Sequence, residues 1–212
     1  ALDLWKLCGV APESVREEYW QQHAGDHASF FVAGDKEPPQ KMQLWRIFRK
    51  VLGFEPDLTP QPTGNCVAAA ADDVIELIQA IEIGLGDAEE FHPIYNPYHY
   101  ATGRVLIGKN RLRGGAGSLG GWQARAIEKY GVIRLDQDGL PKYNKRNCDR
   151  WGDDREAEGK SFREYMEQGG EHIIKATARV DTVSQAIQSI ANLYPLTIAA
   201  SFGYHMKAKT PG

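Results

Sequence analysis

Hydrophobic residues recur at helical spacing near the start of the chain. Trp45, Phe48 and Leu52 follow one another at three- and four-residue steps after Pro38–Pro39. Proline is well placed at the start of a helix, and Gly53 directly after Leu52 supplies a stop. The spacing therefore predicts a helix that opens near the two prolines and ends before Gly53.

The most apolar stretch of the sequence begins at Cys66 and reaches Ile81. It opens with Cys66 and Val67, continues through four consecutive alanines, and then carries isoleucine, leucine and valine over a broad face. Alanine is the best helix former, and Asn65 is a preferred type of N-cap residue. The pattern predicts a long, buried helix that starts at Cys66 and ends at Gly84.

The polarity pattern changes from helical to alternating late in the chain. The segments His172–Val180 and Pro195–Ser201 alternate between small or apolar and polar residues, which is typical of strands. Between them, Asp181 or Thr182 is placed to cap a short helix. Helices come first and strands come late, so the order predicts the α+β class rather than a doubly wound parallel sheet.

The middle of the chain divides into short elements. Helices are predicted from Asn96 to about Gly108, over Trp122–Tyr130 and over Ser161–Gln168, whereas Asp136–Asp154 is polar and reads as irregular. Residues 1–37 are expected to form a peripheral N-terminal segment, and residues 38–212 a single domain.

Composition excludes several classes of protein. Of the 212 residues, 42% are hydrophobic and 25% are charged, which are values of a globular protein. The net charge is -3 and no long basic run occurs, so nucleic acid is not an expected partner. We find neither a signal peptide nor an apolar run of about 18–20 residues, so no membrane contact is expected. The localisation stays open, with cytoplasmic and virion-associated as the two candidates.

The three cysteines are Cys8, Cys66 and Cys148, an odd number that argues against a disulfide scaffold. Cys66 falls in the first turn of the predicted helix, where unpaired N–H groups and the helix dipole favour a thiolate, the nucleophilic form. The side-chain amide of Gln61 and the N–H of Cys66 would make a two-donor oxyanion hole. A cysteine in an alanine-rich helix is also commonly a packing residue, and local pattern alone leaves both readings open.

The segment Gln61-x-x-Gly64-x-Cys66-Val67 resembles the active-site segment of papain-like cysteine peptidases, in particular the short members encoded by bacteria and phages. Later segments, among them Tyr95–Tyr98 with Arg104, are similar to the family in the same order, over roughly residues 58–204. The resemblance implies a papain-like fold with a long central helix and a β-rich C-terminal part. It also implies attack by Cys66 on an amide or peptide carbonyl, with Gln61 in the oxyanion hole and no cofactor.

The resemblance implies a histidine base that follows the strand predicted at Pro195–Ser201. His205 alone lies near that place, and its polar, loop-like setting does not suit the role, so the base is expected beyond Gly212 and the domain to lack its C-terminal portion. The expected partner is a peptide or protein substrate. The alternative is a catalytically inactive structural or assembly protein, such as a phage virion component, whose partners are neighbouring virion or assembly proteins.

Gly115–Gly120 offers a second alternative, because it matches the G-x-G-x-x-G pattern of dinucleotide-binding loops. A helix follows, and Asp136 or Asp138 lies about twenty residues on, as the pattern requires. The preceding residues Lys109–Arg113 are too charged for a buried parallel strand, so a glycine-rich structural turn is the competing interpretation.

Overall fold

The computed structural model describes residues 43–56, 61–87 and 90–198. The predicted N-terminal segment 1–37, Cys8 and His205 lie outside these residues. Within them the helices are α1 (Leu44–Leu52), α2 (Cys66–Leu85), α3 (Asn96–Ala101), α4 (Gly120–Tyr130), α5 (Lys145–Gly152), α6 (Met166–Gly170) and α7 (Val183–Ala191). A π-helical turn, Thr102–Ile107, continues α3, and a 3-10 turn, Phe162–Tyr165, leads into α6.

The first two helices confirm part of the hydrophobic pattern, namely the stop of α1 and the start of α2. Helix α1 stops at Gly53, whose φ of 81° lies in the left-handed region that glycine adopts readily. Helix α2 starts at Cys66 as predicted, but it runs past Gly84 to Leu85. Gly84 lies inside α2, where it lets α1 pack closely. A Cβ at this position would lie only 2.9 Å from a methyl group of Val51 in α1.

The core of the described residues is built around aromatic side chains. Trp151 of α5 is fully buried and packs edge-on against Tyr95 and Phe162, with ring centroids 5.8 Å and 6.3 Å away. All six residues of α3 are buried, so this short helix passes through the middle of the molecule. Its burial matters for the site, because polar residues of α3 reach α2 inside the core.

The predicted α+β class with a β-rich C-terminal part is wrong for the described residues. They are mainly helical and form no sheet; their paired bridges, Ile94 with Arg134 and Ala157 with Lys160, are isolated. The described part of the chain therefore does not contain the β-rich half that the resemblance implied.

The segment His172–Val180 shows why alternation misled. It lies along α4 rather than beside another strand: Ile174 N donates to Ile127 O at 3.3 Å, and Thr177 donates from both N and Oγ1 to the Glu128 carboxylate at 2.6 Å. Within this segment only Ile174, Thr177 and Val180 are partly buried, at every third position, so the alternation in the sequence does not correspond to alternate burial in the fold.

The second predicted strand, Pro195–Ser201, is also not a strand where it is described. Residues 194–198 have no regular structure, and Tyr194 and Ile198 are 55% and 79% exposed. Residues 199–201 lie outside the described part. Without a neighbouring strand among the described residues, β-propensity has no ladder to join.

Some of the other local predictions are confirmed, and one is wrong in part. Thr182 caps α7 through a capping box with Gln185, and α4 ends at Tyr130, as predicted. The expectation of an irregular Asp136–Asp154 segment is wrong in part, because it contains α5. None of the described helices combines the length and apolar character that crossing a membrane requires.

Candidate functional site

Cys66 is the first residue of α2 and is partly exposed. The first hydrogen bond of the helix runs from Ala69 N to Asn65 O at 2.9 Å, so the N–H groups of residues 66–68 have no partner within the helix. The first turn carries no acidic side chain, and the Asn65 side chain does not cap it. The positive end of the helix dipole therefore lies beside the Cys66 sulfur.

Gln61, the predicted second member of the oxyanion hole, precedes the same end of α2. The chain turns tightly between the two residues, because Asn65 N donates to Thr63 O at 2.9 Å. Gln61 is exposed, so no packing fixes its amide beside Cys66. The structure thus brings the two residues to one end of one helix, and the role of Gln61 stays a prediction.

Asn65 is fully buried and occupies the predicted N-cap position without acting as a cap. Its side-chain N–H₂ donates instead to Asn96 Oδ1 and, at 3.0 Å, to the Tyr143 hydroxyl. Its Oδ1 is buried and has no hydrogen-bond partner in the described part of the chain. An asparagine cap contributes about 1 kcal/mol to the stability of a helix. Helix α2 lacks this contribution, although an asparagine precedes it.

The partners of Asn65 belong to a buried set that we name the Asp72 network: Asn65, Asp72, Asn96 and His99. Asn96 Nδ2 donates to Asp72 Oδ2 at 2.6 Å, and Asp72 Oδ1 lies 2.7 Å from His99 Nδ1. A carboxylate oxygen only accepts, so Asp72 fixes which way the Asn96 amide faces. Asn96 Oδ1 is thereby turned toward Asn65.

His99 cannot serve as the base for Cys66 in this arrangement. Its ring is fully buried, Nδ1 faces the Asp72 carboxylate, and Nε2 lies 3.1 Å from the Gln123 carbonyl oxygen. A carbonyl only accepts, so Nε2 carries a proton and has no lone pair for a thiol proton. His99 is a structural anchor of the Asp72 network.

The other side of the site is formed by the segment before α5 and by α5 itself. Burial raises the pKa of Tyr143 to about 12, an effect that the hydrogen bond from Asn65 only partly offsets, so its hydroxyl is protonated at neutral pH. Thr63 Oγ1 donates to Asp149 Oδ1 at 2.6 Å, and Asp149 also pairs with Lys145. These contacts hold the chain just before Cys66 against α5.

The remaining described histidines lie away from the start of α2. The backbone of His92 is bonded to the Gln79 side chain at 2.9 Å and 3.2 Å, and Gln79 is thirteen residues, or about 20 Å, along the helix from Cys66. His172 is exposed, and its carbonyl accepts from Val132 N, just after α4. His23, His27 and His205 lie outside the described residues.

Cys148 differs from Cys66 in its burial. It is fully buried in α5, and burial, with a smaller contribution from Asp149, raises the pKa of its thiol to about 12. A thiol of this kind is unreactive near neutral pH. Cys8 is outside the described residues.

The glycine-rich loop is built around the buried guanidinium of Arg104. Arg104 donates to the carbonyl oxygens of Leu112, Gly115 and Gly117 at 2.5–2.9 Å, and its Nη2 lies 3.2 Å from Asp153 Oδ1. The loop carbonyls therefore face inward onto a cation of the protein.

The backbone N–H groups of the same loop are also engaged inside the protein. Gly114 N donates to Asp153 Oδ1 at 3.0 Å, Gly115 N to Leu112 O at 2.9 Å, and Gly117 N to the Tyr100 hydroxyl at 3.3 Å. A pyrophosphate site needs such N–H groups to be free. The geometry favours the structural-turn interpretation over dinucleotide binding.

Sequence reasoning missed the Asp72 network entirely. One signal was available: Asp72 is an acidic residue inside an alanine- and isoleucine-rich helix, where a buried carboxylate requires donors. The partners Asn96 and His99 come 24 and 27 residues later, so no local pattern joins them.

No metal centre is evident in the described part of the chain, where no three His, Cys, Asp or Glu side chains are grouped to hold an ion. Comparison of the whole chain with protein-family models, with curated proteins and with solved structures gives no match. The geometry at the start of α2 and the resemblance of the Gln61–Val67 segment are therefore the remaining indications of function.

Proposed function

We propose that this chain is part of a cysteine-type hydrolase, a peptidase or amidase, in which Cys66 attacks the carbonyl carbon of an amide. One observation supports the proposal above the others: a partly exposed thiol stands at the uncapped start of a 20-residue helix. The positive end of the helix dipole favours thiolate over thiol there. The resemblance of the surrounding segment to papain-like peptidases points to the same chemistry.

In the proposed reaction, the Cys66 thiolate adds to the carbonyl carbon and the carbonyl oxygen takes up the negative charge. The Cys66 N–H and the Gln61 amide donate to that oxygen. An imidazolium protonates the leaving amine as the C–N bond breaks, and water then hydrolyses the thioester, which returns the thiolate and releases a carboxylic acid. The imidazole comes from outside the described residues, because His92, His99 and His172 are not placed for the role.

The test combines hydrolysis with alkylation of the full chain. Fluorogenic peptide amides are expected to be cleaved by the wild type and by Cys148→Ser, and not by Cys66→Ser. Iodoacetamide, followed by mass spectrometry of each cysteine peptide, is expected to modify Cys66 first, with a pH midpoint below the value of about 8.5 of a free thiol. Equal modification of all three cysteines, together with absent hydrolysis, would contradict the proposal.

The second candidate is a catalytically inactive structural or assembly protein. It is favoured by the same histidine geometry, since none of the described imidazoles is available to Cys66 for proton transfer. The two candidates separate in the experiment above. Low-pH alkylation of Cys66 without hydrolysis of any peptide supports the inactive protein, whereas cleavage that depends on Cys66 supports the hydrolase.

A further inference from the structure

An apolar groove lies at the end of α2 that is far from Cys66. The apolar side chains of its lining come from α1, from α2 and from the turn after α7: Ile47, Val51, Ile81, Leu85 and Leu193. Its volume is about 290 Å³, which is close to the lower end of the range for small-ligand sites in proteins, about 300 Å³. Leu85 is nineteen residues from Cys66, or about 28 Å along the helix, so the groove is separate from the candidate hydrolase site.

The groove adjoins a cationic surface of α1. Lys50 lines both the groove and a neighbouring hollow, whose other described lining residues are Trp45, Arg46 and Arg49. Arg46 lies over the Trp45 ring, 5.4 Å from its centroid, and Arg49 pairs with Glu55 at 3.0 Å. Helix α1 contains no acidic residue, and no carboxylate lines the groove or the hollow among the described residues. The groove therefore combines apolar walls with an excess of positive charge at its edge.

Leu193 lines the groove from an unfavourable backbone conformation. Its φ is 68°, in the left-handed region that glycine adopts readily and leucine rarely. Leu193 N donates to Ile190 O at 3.0 Å and Tyr194 N to Ser189 O at 2.9 Å, which is the pattern that closes a helix and usually has glycine at this position. Leucine here is less favourable for the backbone than glycine, and what it adds is an apolar side chain in the groove.

We propose that this groove binds a free fatty-acid anion, with the alkyl chain between α1, α2 and Leu193 and the carboxylate beside Lys50. The apolar walls stabilise the alkyl chain by removing it from water. The Lys50 ammonium, with the Arg46 guanidinium in the adjoining hollow, favours an anionic head group. A protein partner fits less well, because protein interfaces use about 20–30 residues on each side, whereas seven described residues line this groove.

The test measures the binding of n-octanoate to the full chain at neutral pH by equilibrium dialysis. Octyltrimethylammonium and 1-octanol have the same alkyl chain with a cationic and a neutral head group, and they serve as comparison probes. We expect octanoate to bind at one saturable site with a Kd below about 1 mM. Octyltrimethylammonium is expected to bind at least about fivefold more weakly, because its charge is the same as that of Lys50.

Two variants separate the alkyl chain from the head group. Leu193→Gly removes an apolar wall and suits the left-handed backbone, so the fold is expected to persist while octanoate and 1-octanol both bind about five- to tenfold more weakly. Lys50→Glu reverses the charge beside the head group. It is expected to weaken octanoate about five- to tenfold and to leave 1-octanol within about twofold of the wild type.

The matched controls are Lys175→Glu and Leu135→Ala. Both residues are exposed and line neither the groove nor the hollow. Each control is expected to leave the Kd values of octanoate and 1-octanol unchanged. A loss of octanoate affinity in Lys175→Glu as large as that in Lys50→Glu would overturn the inference, because a general change in net charge would then account for it.

Two further results would overturn the inference. One is the absence of octanoate binding, or equal affinity for octanoate and octyltrimethylammonium. The other is a dimer in sedimentation velocity that Leu193→Gly dissociates, because a second copy of the chain would then occupy the groove. None of these measurements involves hydrolysis or Cys66, so failure of the fatty-acid site leaves the proposed function as it stands, and the reverse also holds.

Discussion

Helices α2 and α5 both begin directly after an asparagine, and the two asparagines behave differently. Asn144 has an extended backbone, with φ −158° and ψ 169°, and its side chain accepts from Asn147 N at 3.0 Å. Asn65 has φ −101° and ψ 16°, and its side chain is bonded to Asn96 and Tyr143 instead. The same residue type at the same position therefore caps one helix and does not cap the other.

The cysteines of the two helices also differ in position and burial. Cys66 is the first residue of the helix that Asn65 does not cap and is partly exposed, whereas Cys148 lies four residues after the capping asparagine and is fully buried. The comparison teaches that the residue before a helix does not decide whether its end is capped. At Asn65 the backbone is not extended and the side chain contacts Asn96 and Tyr143, and in both respects it differs from Asn144.

The largest expected difference between the two helices is in thiol reactivity. Burial raises the pKa of Cys148 from an ordinary value of 9.0 to about 12, which lowers its thiolate fraction near neutral pH about a thousandfold. We expect iodoacetamide at pH 8 to modify Cys148 about a thousandfold more slowly in the native protein than in urea, whereas Cys66 reacts readily in both. Comparable rates of iodoacetamide modification for the two thiols in the native protein would contradict this difference in reactivity.

The next largest effect is expected from removal of the carboxylate that restrains Asn65. Asp72→Asn keeps the shape of the side chain but offers one acceptor oxygen to two donors, Asn96 Nδ2 and the His99 ring. We expect a loss of about 2–4 kcal/mol in the free energy of unfolding, measured in urea, because a buried donor remains without a partner.

Asp149→Asn is the control for that substitution. Asp149 is also an acceptor of two hydrogen bonds, but its side chain is 33% exposed and its pairing with Lys145 is at the surface. We expect a loss below about 1 kcal/mol there. Equal losses at the two sites would mean that the Asp72 network contributes no more than a surface pair.

Local signals were sufficient for the ends of several helices. The stop of α1 at Gly53, the start of α2 at Cys66 and the capping of α7 by Thr182 depend on residues within one turn of each other. Such contacts form from neighbours in sequence, so composition and spacing predict them. Even so, the same reasoning predicted that Asn65 would cap α2, which it does not.

Predictions that depended on distant partners failed or were never made. The alternation of His172–Val180 could not reveal that its partner is α4, because the contacts with Ile127 and Glu128 join residues 47 to 49 positions apart in the sequence. Likewise Asp72 and His99 are separated by 27 residues, and only the fold brings the ring of one onto the carboxylate of the other. The start of α2 could thus be predicted from the sequence, whereas the Asp72 network could not.

A smaller effect is expected from Glu76, an acidic side chain of α2. Burial, together with the charges of Asp72 and Asp73, raises the pKa of Glu76 from 4.5 to about 7, against a lowering contribution from the hydrogen bond with Ile94 N. The folded protein therefore holds a proton that the unfolded chain releases between about pH 4.5 and pH 7. Stability falls as the pH rises through this window and stays lower above it.

Glu76→Gln removes this titration and keeps an oxygen for Ile94 N. We expect the variant to be more stable than the wild type by about 1–2 kcal/mol at pH 8 and to match it near pH 4, measured by urea unfolding at each pH. Glu167→Gln, at an exposed position of α6, is the control and is expected to leave the pH dependence unchanged. An identical pH dependence in Glu76→Gln and the wild type would show that Glu76 ionises normally.

The smallest effect is expected at the cap of α5. It tests directly how Asn144 differs from Asn65. Asn144→Ala removes the acceptor for Asn147 N and is expected to cost about 1 kcal/mol, whereas Asn144→Ser, which keeps a capping oxygen, is expected to cost less than half of that. At Asn65 the comparison with the wild type should differ, because serine there adds a cap that the native residue does not provide. We therefore expect Asn65→Ser to be at least as stable as the wild type in urea unfolding, whereas Asn144→Ser is less stable than the wild type. A loss of stability in Asn65→Ser equal to that in Asn144→Ser would mean that the two asparagines contribute equally to their helices.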